Sequence, residues 1–191
     1  MVNLPSRNVI IFLIVMILML ALVPLGGDKY WTKLVTRMLV LGIFAMSLDL
    51  LVGYTGLVSF GHAAFFGLSG YALHLISPED QAVNLLWGLP LCLAGTGLAA
   101  AVIGSLSVRT KGIYFIMVTL AFAQMLFYFF HDSDLAGGSD GAFIYIKPVL
   151  MLGSYKLLDL GSRATLFYLS LVSMGGIYVV LVIILRSPLE R

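Results

Sequence analysis

Few polar side chains interrupt this apolar chain of 191 residues, and each is a candidate for contact with a solute, a proton or a partner. Asp49 lies in 46–71, MSLDLLVGYTGLVSFGHAAFFGLSGY, one helical turn before Gly53. An acid at membrane depth is costly and is by default a functional candidate. The alternative is an acid near a helix end that reaches water or a backbone group by snorkelling. His62 follows Gly61. A proton relay or ligand contact competes there with a hydrogen-bonded packing role. Packing is the simpler reading, because no second ionisable group lies at helical spacing within its run. Gln124, Tyr128 and His131 recur at i, i+4 and i+7, so they share one helical face. Their stripe leads into 131–141, HDSDLAGGSDG, where Asp132, Asp134 and Asp140 are interleaved with Gly137, Gly138 and Gly141. Such a pattern suits a mouth that admits a polar solute or docks a protein. A hydrogen-bonded stripe between helices, at a helix end, accounts for it more simply. The D-x-D lacks the twelve-residue calcium ligand pattern, so no metal site is expected.

Other constellations are missing. The sequence contains no G-x-x-x-x-G-K-[ST], so a P-loop for ATP is excluded. It has no H-E-x-x-H, and nothing assembles a nucleophile, a base and an oxyanion site. The expectation is a non-enzyme without a cofactor of its own.

These residues must be positioned by membrane elements. The chain is 61% hydrophobic and 10% charged, with mean hydropathy +1.06, whereas soluble domains carry about 25% charged residues. The solvent this composition requires is a lipid bilayer. A net charge of +2 gives no basis for nucleic-acid binding. Several basic residues flank apolar runs, where they anchor the membrane edge. The lone Cys92 sits in an apolar run and reads as a buried, inert thiol. Arg7 precedes the first run, 9–25, which exceeds a signal-peptide core of roughly 7–15 residues and has no A-x-A-like site after it, so it reads as a retained helix.

Six runs approach the roughly 20 residues needed to cross the hydrocarbon: 9–25, 34–52, 57–76, 83–106, 112–130 and 165–185. The expected fold is an all-α polytopic membrane protein of about six transmembrane helices. The turn Gly53-Tyr54-Thr55-Gly56 joins the second and third runs as a tight helical hairpin, and Pro78, Glu79 and Asp80 end the third. Gly53, Gly56, Gly61, Gly67 and Gly70 are the expected packing positions of this hairpin, since small residues let membrane helices approach closely. A second small stripe is Gly97, Ala101 and Gly104. In the long connection 131–164, the stretch 143–152 is expected as a short interfacial or re-entrant helix. With the N-terminus inside, Arg7, Arg109, Lys111, Arg186 and Arg191 lie inside, while Lys29, Lys33, Arg37, Lys147, Lys156 and Arg163 lie outside. The compact Arg109/Lys111 pair and the basic C-terminal end favour that orientation.

Two blocks carry a resemblance. SLDLLVGYTGLVSFGHAAFFGLSGY, 47–71, and RTKGIYFIMVTLAFAQMLFYFF, 109–130, followed by GGSDG, 137–141, resemble the permease family of branched-chain amino acid ABC transporters, the leucine/isoleucine/valine type. The resemblance implies a bacterial inner-membrane subunit that forms part of a translocation route. It implies a second permease subunit, cytoplasmic ATPase subunits that bind the ATP, and a periplasmic or extracellular substrate-binding protein. Asp49 stands where many relatives carry an asparagine, which argues against strict proton coupling there. The family usually extends well past position 191, so the chain is expected to be a single permease domain cut short, an incomplete importer fold lacking the coupling helix and unable to couple ATP hydrolysis to transport. Urea and short-amide permeases resemble the same blocks. An ion-gradient-driven secondary transporter and a non-transporting membrane fragment complete the alternatives; secondary transporters often show paired broken helices, and only one glycine-broken pair is present.

Overall fold

The apolar runs become helices, and their ends are set by residues that hydropathy does not weigh. A computed structural model describes residues 7–77, 81–133, 137–152 and 155–186. The helices are α1 (Arg7–Leu22), α2 (Lys29–Thr55), α3 (His62–Ile76), α4 (Leu85–Ser107), α5 (Ile113–Asp132) and α6 (Arg163–Arg186). Strands β1 (Val149–Leu152) and β2 (Tyr155–Asp159) lie before α6, and single 3-10 turns occupy Val23–Gly26 and Gly138–Asp140. The protein is a helical membrane protein. Among the described residues four helices, α2, α4, α5 and α6, are long and apolar enough to cross a membrane. Their apolar side chains are largely uncovered: none of the most apolar stretch of α4 is buried. Water would penalise such a surface, whereas lipid does not.

Two of the six expected spans come out short. Helix α1 has 16 residues and α3 has 15, so α3 rises about 23 Å against a hydrocarbon core of about 30 Å. The expected tight turn at 53–56 is also corrected. Gly53, Tyr54 and Thr55 are the last residues of α2, and the helix stops at Gly56, whose φ of +67° is left-handed. The next residues, 57–61, are not helical, and α3 begins only at His62. Ser47 and His62 are hydrogen-bonded at 2.8 Å. Ser47 lies about two turns before the end of α2, so segment 56–61 runs back beside those turns and α3 starts level with them. From there α3 packs on α4 and α5 rather than forming a hairpin with α2.

The chain forms two compact units. One comprises Met1–Met46 and Ser162–Arg191. In it the Tyr168 hydroxyl donates to the Ala21 carbonyl at 3.2 Å, and Met174 lies against Gly42, where a Cβ would sit 3.6 Å from its methyl. Phe167 is completely buried and Leu39 nearly so.

The other unit is Ser47–Gly161, built from α3, α4, α5 and the antiparallel β1–β2 hairpin. The ring of Tyr71 on α3 stacks on Phe130 of α5, with centroids 4.3 Å apart. Strand β1 forms where an interfacial helix was expected over 143–152. Pro148 removes a backbone donor and biases Lys147 towards extended conformations, and Asn84 supplies a ready partner. The Asn84 Oδ1 accepts from Leu86 N–H at 3.1 Å, capping α4, and from Met151 N–H at 3.2 Å. Its Nδ2 donates to the Met151 carbonyl at 2.9 Å, and Val149 N–H donates to the Val83 carbonyl at 3.0 Å. One side chain thus ends a membrane helix and edges a strand.

Candidate functional site

The site is built where α3 begins. Segment 56–61 delivers Ser59, Gly61 and His62 against α4 and α5, around a cavity of about 250 Å³. Gly61 is buried and in tight contact: a Cβ there would lie 2.9 Å from the Thr119 carbonyl oxygen and 3.2 Å from the Thr119 Cβ. Glycine is therefore needed for α3 to start this close to α5. The cavity wall is mainly aliphatic and aromatic, with Leu51, Phe65, Ile103, Phe115, Phe122 and Leu126 prominent. Two hydroxyls in the wall are spent on their own helices, Ser107 to the Ile103 carbonyl at 2.7 Å and Thr119 to the Ile116 carbonyl at 3.0 Å. Ser59 is 9% exposed, lines the cavity and makes no hydrogen bond among the described residues.

His62 is part of this cavity and is engaged by Ser47, so the structure gives it the hydrogen-bonded position weighed from the sequence. Asp49, two residues beyond Ser47, is exposed on α2 and makes no hydrogen bond or ion pair among the described residues. It does not join the cavity. Gln124 and Tyr128 are exposed on α5; Gln124 borders a second pocket, of about 260 Å³, beside Gly67, Tyr71 and Phe130. Of the glycines singled out from the sequence, Gly61 makes the close approach. A Cβ on Gly53, Gly67 or Gly70 would meet nothing within 4 Å, and Gly56 serves its left-handed turn instead.

The loop after α5 folds onto the helix end. Asp132 pairs with His131 at 3.0 Å, both exposed. Gly137, Gly138 and Gly141 all have positive φ, at 78°, 57° and 81°. A Cβ on Gly137 would meet the Gly141 carbonyl, so this loop needs glycine for room as well as for conformation. Asp140 ends the 3-10 turn and is exposed, while Asp134 lies outside the described residues, as do Pro78, Glu79 and Asp80.

None of Ser47, Ser59 and Thr119 was weighed from the sequence as a polar contact. Isolated hydroxyls in apolar helices usually bond to their own backbone, and only the fold separates Ser59 from that majority. Ser47→Ala is expected to lower stability by about 1 kcal/mol, the net value of one hydrogen bond. Asp49→Asn, on an exposed and unpaired side chain, is expected to leave thermal unfolding in detergent unchanged. Equal midpoints for Ser47→Ala and the parent would remove the Ser47–His62 bond from the account.

Comparison with known proteins points one way. The family described as branched-chain amino acid transport system / permease component matches residues 30–189. The high-affinity branched-chain amino acid transport system permease protein LivM of Escherichia coli is 26% identical over 147 residues, covering 73% of this chain and 33% of that protein. LivM of Salmonella typhimurium is 25% identical over 147 residues with the same coverage. The chain thus spans about a third of the length of the curated relatives it matches. No solved structure matches it.

Proposed function

The chain belongs to the permease component family of branched-chain amino acid transport systems, and from that premise we propose that it forms part of the membrane route of an ATP-driven importer for branched-chain amino acids. The observation that carries the reading is the family match over 30–189, which takes in three of the membrane-length helices and nearly all of α2. The cavity at the start of α3 supports the substrate class. Its aliphatic and aromatic wall suits a branched alkyl side chain and offers little to urea or a short amide.

In this reading the chain sits in the bacterial inner membrane beside a second permease subunit. Cytoplasmic ATPase subunits bind the ATP, and a periplasmic or extracellular binding protein delivers the substrate. The test is uptake of labelled leucine, isoleucine and valine into cells expressing the chain with its native partners. Uptake should collapse on ATP depletion and survive an ionophore. Collapse with the ionophore alone would move the chain to the gradient-driven class.

The loop carrying Asp132 and Asp140 is assigned to docking of the binding protein, with Asp49, Gln124 and Tyr128 as polar contacts for solute or neighbouring subunits. Both loop acids are exposed, so their effect should be screened by salt over about 8 Å at physiological ionic strength. The double variant Asp132→Lys/Asp140→Lys is expected to weaken binding-protein affinity at low salt and to differ less from the parent at high salt. Affinity unchanged at both would remove the loop from docking.

A further inference from the structure

Three features of the Ser47–Gly161 unit converge on the cavity where α3 begins. The first is the helix end itself. Gly61, His62 and Ala64 line the cavity, and no side chain caps α3, a helix of 15 residues. Ala64 N–H turns back to the Gly61 carbonyl at 3.1 Å; Ala63 N–H has no partner among the described residues, at the boundary between this cavity and the pocket beside Gly67 and Tyr71. A helix start carries unsatisfied donors and a partial positive charge. The second feature is independent of the helix. Ser59 is 9% exposed, faces the same space and has no hydrogen-bond partner among the described residues. A hydroxyl without a partner that opens on an apolar cavity offers a donor to an incoming acceptor. The third is the remaining wall, which is apolar and whose other hydroxyls, on Ser107 and Thr119, are already committed.

We propose that the Ser59 hydroxyl and the first-turn N–H groups of α3 bind the carboxylate of an aliphatic amino acid whose side chain fills the apolar cavity. This rests on the importer reading and adds to it a subsite and a polarity of binding. The volume of about 250 Å³ lies just under the roughly 300–1,000 Å³ of small-molecule sites, so it suits one amino acid rather than a peptide. Directing the start of a short helix at an anion is a general way to hold a carboxylate at membrane depth. Gly61 contributes by absence, since its missing side chain leaves the first turn uncovered, and the Ser47–His62 bond fixes where that turn begins.

The test uses the full chain in neutral phosphatidylcholine nanodiscs, with labelled leucine as probe and two competitors. One, 4-methylpentanoate, keeps the carboxylate and the alkyl chain. The other, 3-methylbutylamine, keeps the alkyl chain and lacks the carboxylate. The acid should displace leucine and the amine should not. Ser59→Ala should weaken leucine and 4-methylpentanoate alike by about tenfold, the loss expected for a hydrogen bond to a charged group. Ala100→Leu, which fills the cavity away from the polar end, should weaken leucine more than glycine. Helical content and a monodisperse profile show that both variants fold. The proposal is overturned if the amine competes as well as the acid, if Ser59→Ala binds leucine like the parent, or if the parent binds none of the probes. Uptake by the parent with its native partners separates the two claims. Uptake with unchanged rates in Ser59→Ala discards the subsite and keeps the importer, whereas no uptake of any branched-chain amino acid by the parent discards the importer.

Discussion

Gly61→Val is expected to be among the most damaging single changes in the described chain. The new Cβ would begin 2.9 Å from the Thr119 carbonyl oxygen and 3.2 Å from the Thr119 Cβ. Neither neighbour is the movable end of a long side chain. The oxygen belongs to the backbone of α5, and Thr119 is 5% exposed with its hydroxyl already bonded to Ile116. Relief requires α3 to start elsewhere or α5 to bend. Overpacking of this kind costs about 1–3 kcal/mol, and a branched side chain belongs at the upper end of that range. The variant should accumulate poorly and unfold at a clearly lower temperature in detergent. Gly67→Ala is the matched control on the same helix. Its Cβ meets nothing within 4 Å, and alanine in a helix interior is favoured over glycine by about 1 kcal/mol. Gly61→Val unfolding at the same temperature as Gly67→Ala would mean that the approach to Thr119 does not exist.

Asn84→Leu should be at least as severe, by a different mechanism. The side chain caps α4 and pairs with both backbone groups of Met151. Losing the cap costs about 1 kcal/mol, and each backbone group of Met151 left without a partner adds about 1–3 kcal/mol. The hairpin should loosen locally while α4 and α5 persist. Hydrogen exchange read at Met151 is the measurement, and an acceleration of about a hundredfold, roughly 3 kcal/mol, is expected. Asn84→Asp keeps the acceptor for Leu86 and Met151 but loses the donor to the Met151 carbonyl, so its exchange should fall between the two. Parent-like exchange in Asn84→Leu would show that the hairpin is held by other contacts.

The sequence made the helices legible and left the site mostly hidden, for identifiable reasons. Hydropathy located each of the six helices, because a run of apolar side chains records the solvent it needs. It set the start of the second at Leu34, whereas α2 begins at Lys29. Charged residues near a helix end reach water along their own stems, so Lys29, Lys33 and Arg37 do not end the helix. The same measure failed at 57–60, where Leu, Val, Ser and Phe are as apolar in a non-helical segment as in a helix. Only the left-handed Gly56 separates the two, and a glycine inside a membrane sequence more often reports packing than a turn.

The hairpin was readable and was read otherwise. Two short runs, VLML and YKLLD, flank Gly153-Ser154, and a Gly-Ser pair between such runs is a hairpin signal. Asn84, inside the run 83–106 and directly before the first residue of α4, was likewise a cap signal, although its pairing with Met151, far along the chain, left no local trace. Gly61 stood among five glycines of equal appearance. What distinguishes it is the position of Thr119 in another helix, which is tertiary information.

The short third helix bears on how the protein is made. A stretch that rises only about 23 Å and is preceded by non-helical backbone has no stable place of its own in hydrocarbon, where every peptide group must find a partner within the protein. Its anchoring neighbour, Thr119, lies in α5, two helices further along the chain. Until α5 has been synthesised, segment 56–61 lacks its Thr119 neighbour, although α4 already offers α3 a packing face. Final seating of this region is therefore expected to be a collective event that completes only with the two helices that follow. Truncation before α5 should leave the third helix exposed to quality-control proteases rather than parked in the bilayer.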